Sequence, residues 1–127
     1  MDEEVLSRPQ EILSAGGAIF LARRQEGIVG TCALLCAGEE RYELAKMAVT
    51  AGSQGLGIGR KLLGAAIERY QASGGRELFL ESNSRLEPAL ALYESAGFVH
   101  APRPFESHYE RADVCMVYRA AGAGKPA

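Results

Sequence analysis

The 127-residue sequence has few side chains that could bind a metal or form disulfides, with three cysteines and two histidines. Cys32, Cys36 and Cys115 cannot all pair within one chain, and each lies in an apolar segment, where a free cysteine behaves as a small hydrophobic residue. The Cys32-x-x-x-Cys36 spacing does not match a zinc knuckle, and His100 and His108 are not at helical ligand spacing. The sequence therefore predicts buried thiols and no metal site.

An excess of positive charge is also missing, because 14 basic and 16 acidic residues leave a net charge of −2. Lys and Arg are spread along the chain, whereas a nucleic-acid-binding surface needs them on one face. The N-terminal residues 1–4 lack the basic start and apolar run of a signal peptide, and no apolar stretch is long enough to span a bilayer. We therefore expect a cytoplasmic protein that binds neither nucleic acid nor a membrane.

The length and the composition are those of one ordinary globular domain. With 47% hydrophobic and 24% charged residues, the chain falls at the average for soluble proteins, and it is too short for two ordinary domains. No internal repeat or linker is visible. We predict a single domain over residues 1–119 and a disordered tail over residues 120–127.

The periodicity of the apolar residues changes from that of strands to that of helices along the chain. The predicted elements are a weak amphipathic helix at 2–13, strands at 18–23, 28–36 and 42–49, a helix at 59–72, a strand at 78–81, a helix at 84–96, and strands at 98–101 and 114–118. Ser84 and Glu87 have the spacing of a capping box, which places the start of the last helix at Ser84. This order predicts an α+β or α/β domain with a mixed sheet.

A glycine-rich turn connects the third predicted strand to the following helix. Its residues are Gln54, Gly55, Leu56, Gly57, Ile58, Gly59, Arg60 and Lys61. Glycines let several backbone N–H groups converge on one anion, and the N-terminus of the helix adds positive partial charge. Two cations in a first helical turn oppose the helix dipole at a cost of roughly 0.3–1 kcal/mol each, unless an anion is bound. The turn is therefore a candidate phosphate or pyrophosphate site.

Three other interpretations of this turn are weighed. It could be an ordinary strand-to-helix turn with two solvated basic residues. A P-loop needs Gly-Lys followed by Ser or Thr, which does not occur here. A dinucleotide-binding fingerprint is closer, and Glu81 ends a strand at a suitable distance for a ribose contact, but Arg60 stands where that motif needs a third small residue.

Three segments resemble the GNAT superfamily of acetyl-CoA-dependent N-acetyltransferases. The family signature (Gln or Arg, two residues, Gly, one residue, Gly or Ala) is met by Gln54, Gly57 and Gly59. Residues 42–49 resemble the central strand of the family, and residues 91–98 resemble the end of its C-terminal helix. The resemblance covers residues 18–118 and extends to small bacterial acetyltransferases and to acetyltransferase modules that follow a MarR-type DNA-binding domain, although no winged-helix segment is present here.

The resemblance implies a mostly antiparallel mixed sheet, flanked by helices and splayed at the central strand, with acetyl-CoA between the two halves. The implied cofactor-binding residues are Met47, Ala48 and Val49 for the pantetheine arm and residues 54–61 for the pyrophosphate. Asn83 is implied as a further pantetheine contact, or else it only neighbours the helix cap at Ser84.

Two catalytic residues are implied by the same resemblance. Glu43 lies six residues before Val49, where several family members place a glutamate base, and Tyr93 matches the tyrosine that protonates the departing CoA thiolate. The alternatives are a solvated strand glutamate near Arg41 and a tyrosine of the core. Because no cysteine falls at the positions matched to the cleft, direct attack in a ternary complex is preferred over an acetyl-cysteine route.

The N-terminal strand and helices of the family are expected to be absent or reduced to residues 2–13. Those elements help to enclose the acceptor site in the family. A second chain is therefore expected to supply the missing side of the site in a homodimer. The leading functional hypothesis is acetyl transfer from acetyl-CoA to a primary amine of a small molecule, an amino acid or a peptide. The alternatives are a non-catalytic acetyl-CoA-binding or sensor module and a nucleotide-binding regulatory domain.

Overall fold

The strands of the protein form one mixed sheet. In a computed structural model that describes residues 4–8, 17–25, 27–102 and 112–119, seven strands are ordered β1-β2-β3-β4-β5-β7-β6. The strands are β1 (Glu4–Arg8), β2 (Ala18–Arg24), β3 (Gly27–Gly38), β4 (Arg41–Val49), β5 (Glu77–Ser82), β6 (Phe98–Ala101) and β7 (Val114–Tyr118). Neighbouring strands run antiparallel except for β4 and β5, which run parallel. The mostly antiparallel mixed sheet predicted from the sequence is confirmed.

Two helices follow β4 and β5 in the chain. They are α1 (Ile58–Ala72) and α2 (Glu87–Ala96), and a single 3₁₀ turn at Ala51–Ser53 precedes α1. The apolar stripe predicted for α1 is buried, with Leu62, Leu63 and Ala66 almost inaccessible to solvent. Full burial of one leucine side chain contributes about 1.5–3 kcal/mol. Within the described ranges, neither helix is both long and apolar enough to cross a membrane.

The close approach of α1 to the sheet depends on a glycine of β3. A Cβ atom added at Gly30 would lie 2.9 Å from Cδ1 of Leu62 and 3.1 Å from Cγ2 of Ile58. A side chain at this position would therefore displace the side chains of Leu62 and Ile58. The contact fixes the N-terminal end of α1 over the middle of the sheet.

The helix predicted for residues 2–13 is wrong over Glu4–Arg8, which form the edge strand β1. This strand pairs antiparallel with β2, with Val5 opposite Ala22 and Leu6 opposite Leu21. The helical pattern of this segment is weak, and the edge of β2 provides backbone hydrogen-bond partners for a strand. Pairing with β2 therefore outweighs the local helical preference. The N-terminal strand is thus present, and residues 9–13 and 120–127 lie outside the described residues.

The predicted capping box is also wrong, because α2 begins at Glu87 with Leu86 as its N-cap residue and no side-chain cap. Ser84 is engaged elsewhere: its backbone N–H and its hydroxyl donate to Oδ1 and Oδ2 of Asp113, both at 2.8 Å. Asp113 is 29 residues away in sequence, so a local motif could not reveal it. The predicted end of the helix is confirmed at Gly97, which has a φ of 114°.

The two halves of the sheet separate beside β4. Strands β4 and β5 pair over only three residues each, ending with Glu43 opposite Phe79. Beyond this pair β4 continues to Val49, while β5 continues to Ser82 and pairs with β7 on its other side. The splay predicted at the central strand is confirmed, and it opens a gap between the C-terminal parts of β4 and β5.

Candidate active site

Two adjoining cavities occupy the gap between β4 and β5. The larger has a volume of about 730 Å³ and lies against the glycine-rich turn, and the smaller, of about 280 Å³, lies between β4, β5 and α2. Met47 and Leu86 line both cavities. Leu86 is 52% exposed although it is apolar, and it lies where the two cavities adjoin.

The larger cavity collects most of the residues predicted to bind a cofactor. Those that line it are Met47, Ala48, Val49, Gln54, Gly55, Gly57, Ile58, Gly59 and Arg60. Leu56 and Lys61 are exposed and do not line it. The gap therefore brings the end of β4 and the start of α1 to one surface.

The start of α1 has the geometry of an anion site. Gly57 is the N-cap residue, with a φ of 81°, and provides no side-chain cap, while Gly55 has a φ of 86°. The first intrahelical bond runs from the N–H of Lys61 to the carbonyl of Gly57, so the N–H groups of the preceding turn have no intrahelical acceptor. Arg60 adds a positive charge to the same wall. Such a terminus stabilises a bound phosphate.

Gln54 and Gly59 shape this wall in different ways. The side-chain amide of Gln54 donates to the carbonyl of Val49 at 3.1 Å, which ties the glycine-rich turn to the end of β4. A Cβ atom at Gly59 would lie 3.2 Å from Cδ2 of Leu92 and 3.8 Å from Cγ2 of Val49. Any side chain at this position would therefore enter the space between α1, α2 and β4.

The smaller cavity is mainly apolar and contains a few polar groups. It is lined by Leu44, Ala45, Lys46, Met47, Leu80, Glu81, Ser82, Asn83, Leu86, Tyr93 and Ala112. Asn83 and Tyr93, both predicted site residues, are thus brought together here. Asn83 also serves its own loop, since its Oδ1 accepts a hydrogen bond from the N–H of Arg85 at 2.8 Å. The loop is held in place by the bonds from Ser84 to Asp113.

Tyr93 projects from α2 into the core next to this cavity. Only 7% of the residue is exposed, and its ring packs edge-on against Phe98 with the centroids 6.0 Å apart. Burial, followed by the nearby thiol of Cys32, raises the pKa of Tyr93 to about 12. Burial likewise raises the pKa of the Cys32 thiol to about 12. The phenol therefore stays protonated near neutral pH, as a proton donor must.

Glu43 lies at the point where the strands separate. It is only 8% exposed and stands opposite Leu35 of β3 and Phe79 of β5. Neighbouring residues of a strand alternate between faces, and Tyr42 packs against Tyr70 of α1. Glu43 therefore faces the side of the sheet away from the helices, and it lines neither cavity.

Glu81 was missed as a catalytic candidate in the sequence. It lies two residues beyond Phe79 on β5, so it shares a sheet face with Glu43, and it lines the smaller cavity together with Tyr93. From the sequence, its place near the end of a strand suggests only a ribose contact. Strand alternation together with the parallel register of β4 and β5 would identify Glu81 as a neighbour of Glu43. The sequence shows the alternation but not the register.

No group of three His, Cys, Asp or Glu side chains that could hold a metal ion occurs among the residues that the structure describes. The thiols of Cys32 and Cys115 are buried, as predicted, whereas the expectation of burial is wrong for Cys36, which is exposed on β3. Neither cavity is lined by a cysteine. The described polar side chains that line the two cavities are one carboxylate, two amides, two hydroxyls, one phenol and two cations, which belong to Glu81, Gln54, Asn83, Ser53, Ser82, Tyr93, Lys46 and Arg60.

Comparison with known proteins identifies a family. A model described as an acetyltransferase (GNAT) domain matches residues 15–100. The uncharacterized N-acetyltransferase YjgM of Escherichia coli K12 is 31% identical over 94 residues, which are 71% of this chain and 56% of YjgM. The chain thus spans little more than half the length of that relative.

Solved structures share the fold. A GNAT family acetyltransferase from Staphylococcus aureus Mu50 superposes with a TM-score of 0.79 at 26% identity, covering 87% of this chain and 72% of that one. A GNAT family acetyltransferase from Elizabethkingia anophelis, solved with acetyl-CoA bound, gives a TM-score of 0.68 at 19% identity, covering 91% and 95%. At such identities the second likeness concerns the fold alone.

Proposed function

This chain belongs to the GNAT acetyltransferase family, and we propose that it transfers the acetyl group of acetyl-CoA to a primary amine of a small molecule, an amino acid or a peptide. The observation that carries the proposal is the gap between β4 and β5, which joins the glycine-capped start of α1 to a cavity lined by the phenol of Tyr93. The predicted homodimer and the cytoplasmic location stay predictions.

The two cavities fit the parts of acetyl-CoA in order. The N–H groups at the start of α1, together with Arg60, would hold the pyrophosphate. The backbone of Met47, Ala48 and Val49 lines the next section and would pair with the pantetheine arm. The acetyl thioester would then reach the smaller cavity beside Tyr93. The acetyl-CoA complex of the Elizabethkingia protein supports this use of the fold.

The positions of Glu43 and Tyr93 suit a direct attack. Glu43 faces the side of the sheet away from the helices, whereas Tyr93 comes from α2 on the helical side. The amine nitrogen would attack the thioester carbon and lose a proton to Glu43. The C–S bond would break, and the CoA thiolate would take the proton of the Tyr93 hydroxyl. Base and acid are thus on opposite sides of the reacting carbon, as attack and departure require.

Tyr93 has a proton to donate at neutral pH, because burial raises its pKa to about 12. An ordinary thiol has a pKa of about 8.5, so at equilibrium the transfer of this proton to the CoA thiolate is uphill. Apolar surroundings raise the pKa of a thiol, which makes the transfer less unfavourable. The step therefore depends on contact between the hydroxyl and the sulfur as the C–S bond breaks, and on later reprotonation of the phenol from solvent.

Replacing Tyr93 with Phe is expected to lower turnover about tenfold to 100-fold, at the lower end of general acid catalysis, because a thiolate is already a tolerable leaving group. Acetyl-CoA affinity should not change, since the ring remains. The loss should shrink with acyl donors whose thiol is more acidic. Steady-state kinetics with several thioesters measure this effect.

Tyr70→Phe is the matched control, because Tyr70 is buried in the same core but lines neither cavity. Because burial raises the pKa of Tyr93 to about 12, Tyr93 stays protonated in the mildly alkaline range. Its titration should therefore cause no loss of activity in that range. Equal losses with every donor thiol would assign Tyr93 to packing alone.

A second candidate function is binding of acetyl-CoA without turnover, as in a sensor. It is favoured by one observation, the position of Glu43 outside both cavities. Amine-dependent release of the CoA thiol separates the two functions.

A nucleotide-binding role is tested by thermal unfolding, since a ligand stabilises the state that binds it. A larger rise of the melting temperature with NAD or ATP than with acetyl-CoA at equal concentration would remove the CoA assignment.

A further inference from the structure

Strand β4 contains a bulge at the entrance to the smaller cavity. Thr31 of β3 pairs with Ala48 and Ala33 pairs with Ala45, so one residue of β3 stands opposite two residues of β4, Lys46 and Met47. Lys46 has a φ of 55°, which is a left-handed conformation that a side chain makes unfavourable. Such a conformation persists only where neighbouring groups hold it.

The side chain of Thr31 contacts the backbone in this conformation. Its hydroxyl donates a hydrogen bond to the carbonyl of Lys46 at 2.8 Å. In a regular strand the carbonyl of Lys46 would point towards a neighbouring strand in the plane of the sheet. With the left-handed φ it instead accepts the hydrogen bond from the threonine hydroxyl. The bond therefore gives the Lys46 carbonyl a hydrogen-bond donor at the point where the bulge interrupts the regular register.

The bulge decides which residues face the gap. An extra residue in a strand shifts the alternation of every residue that follows it. Met47, Ala48 and Val49 follow Lys46 directly and line the larger cavity. Without the bulge these residues would be displaced by one position along the gap.

We propose that Thr31 is a positioning residue for acetyl-CoA, acting through the left-handed peptide of Lys46. Its hydroxyl fixes the bulge and thereby aligns residues 47–49 along the gap. The use of that alignment for the pantetheine arm rests on the function proposed above. Thr31 itself lines neither cavity, so an effect of its substitution on ligand affinity must pass through β4.

The test compares Thr31→Val with Thr31→Ser. Valine keeps the branched shape and removes the hydroxyl, whereas serine keeps the hydroxyl and removes the methyl group. We expect Thr31→Val to weaken acetyl-CoA binding about five- to tenfold, the effect of one lost hydrogen bond, and Thr31→Ser to stay within about twofold of the unmodified protein by the same scale. Isothermal calorimetry measures both affinities.

The order of the acetyl-CoA affinities of these two variants distinguishes a positioning role of the hydroxyl from a contribution of Thr31 to strand formation alone. Valine is a better strand former than serine, so a purely structural role predicts that Thr31→Ser is the weaker binder. A second comparison uses Lys46→Gly as the background, because glycine adopts a positive φ without the cost of a side chain. There, Thr31→Val should weaken binding less than it does with Lys46 present.

Backbone NMR of the free protein provides a readout that does not depend on the ligand. The amide signals of residues 46–49 should move in Thr31→Val and stay in place in Thr31→Ser. If the unmodified protein bound no acetyl-CoA, the proposed function would fail, while these signals would still decide whether Thr31 holds the bulge. Unmoved signals in Thr31→Val, or stronger acetyl-CoA binding by Thr31→Val than by Thr31→Ser, would overturn the proposal.

Discussion

The variant Glu43→Gln is expected to turn over acetyl-CoA about 100- to 10,000-fold more slowly than the unmodified enzyme at neutral pH, the usual range for loss of a general base. Glutamine keeps the shape of glutamate but cannot accept the proton of the amine. Because Glu43 lines neither cavity, acetyl-CoA affinity should stay the same. Steady-state kinetics give the turnover number, and calorimetry gives the affinity.

The variant Glu81→Gln is the comparison that shows which of the two carboxylates acts as the base. Glu81 lies on the same face of the sheet and lines the smaller cavity, so it is the second carboxylate within reach of an acceptor. A large loss in Glu81→Gln with normal turnover in Glu43→Gln would transfer the role of base to Glu81. Normal turnover in both variants would mean that the amine arrives neutral or loses its proton to water.

The second large effect is expected from Gly59→Val, which should abolish measurable acetyl-CoA binding. A side chain at this position begins 3.2 Å from Leu92 and 3.8 Å from Val49, and both of these residues line the larger cavity. The added methyl groups would occupy the space next to the helix terminus that is proposed to bind the pyrophosphate. Calorimetry on the folded variant measures the loss.

Gly64→Val is the matched control, because Gly64 lies in the same helix with nothing within 4 Å of an added Cβ atom. It carries the same helix-propensity change without entering the cavity. Gly57→Val should also lose binding, but for another reason, since the positive φ of Gly57 disfavours a side chain even though the surrounding space is open. Undiminished affinity in folded Gly59→Val would show that the glycines serve only the turn.

Much of the fold could be predicted because its signals are local. The stripe of α1, the glycine after α2 and the turns of the β2–β4 meander each depend on residues close in sequence. The splay at β4 was implied by the resemblance of the chain to one family, whereas the glycine-rich start of α1 was predicted from its own glycines and cations. These predictions located the gap correctly.

The errors concern partners that are distant in sequence. Strand β1 exists because β2 offers an edge, and Ser84 fails to cap α2 because Asp113 binds both of its donors. The placement of Glu81 on the same sheet face as Glu43 depends on the register of a parallel pair only three residues long. The left-handed Lys46 is likewise invisible in the sequence, since lysine is not a residue that favours a positive φ.

Amine-dependent release of the CoA thiol is the measurement that tests the proposed function most directly. The protein is incubated with acetyl-CoA and a panel of small amines, amino acids and peptides, and free thiol is followed over time while mass spectrometry detects the acetylated amine. Acetyl transfer predicts that at least one amine accelerates thiol release and gains one acetyl group per thiol released. Acetyl-CoA binding with no amine-dependent release from any acceptor class would contradict it and leave the protein as a binding module.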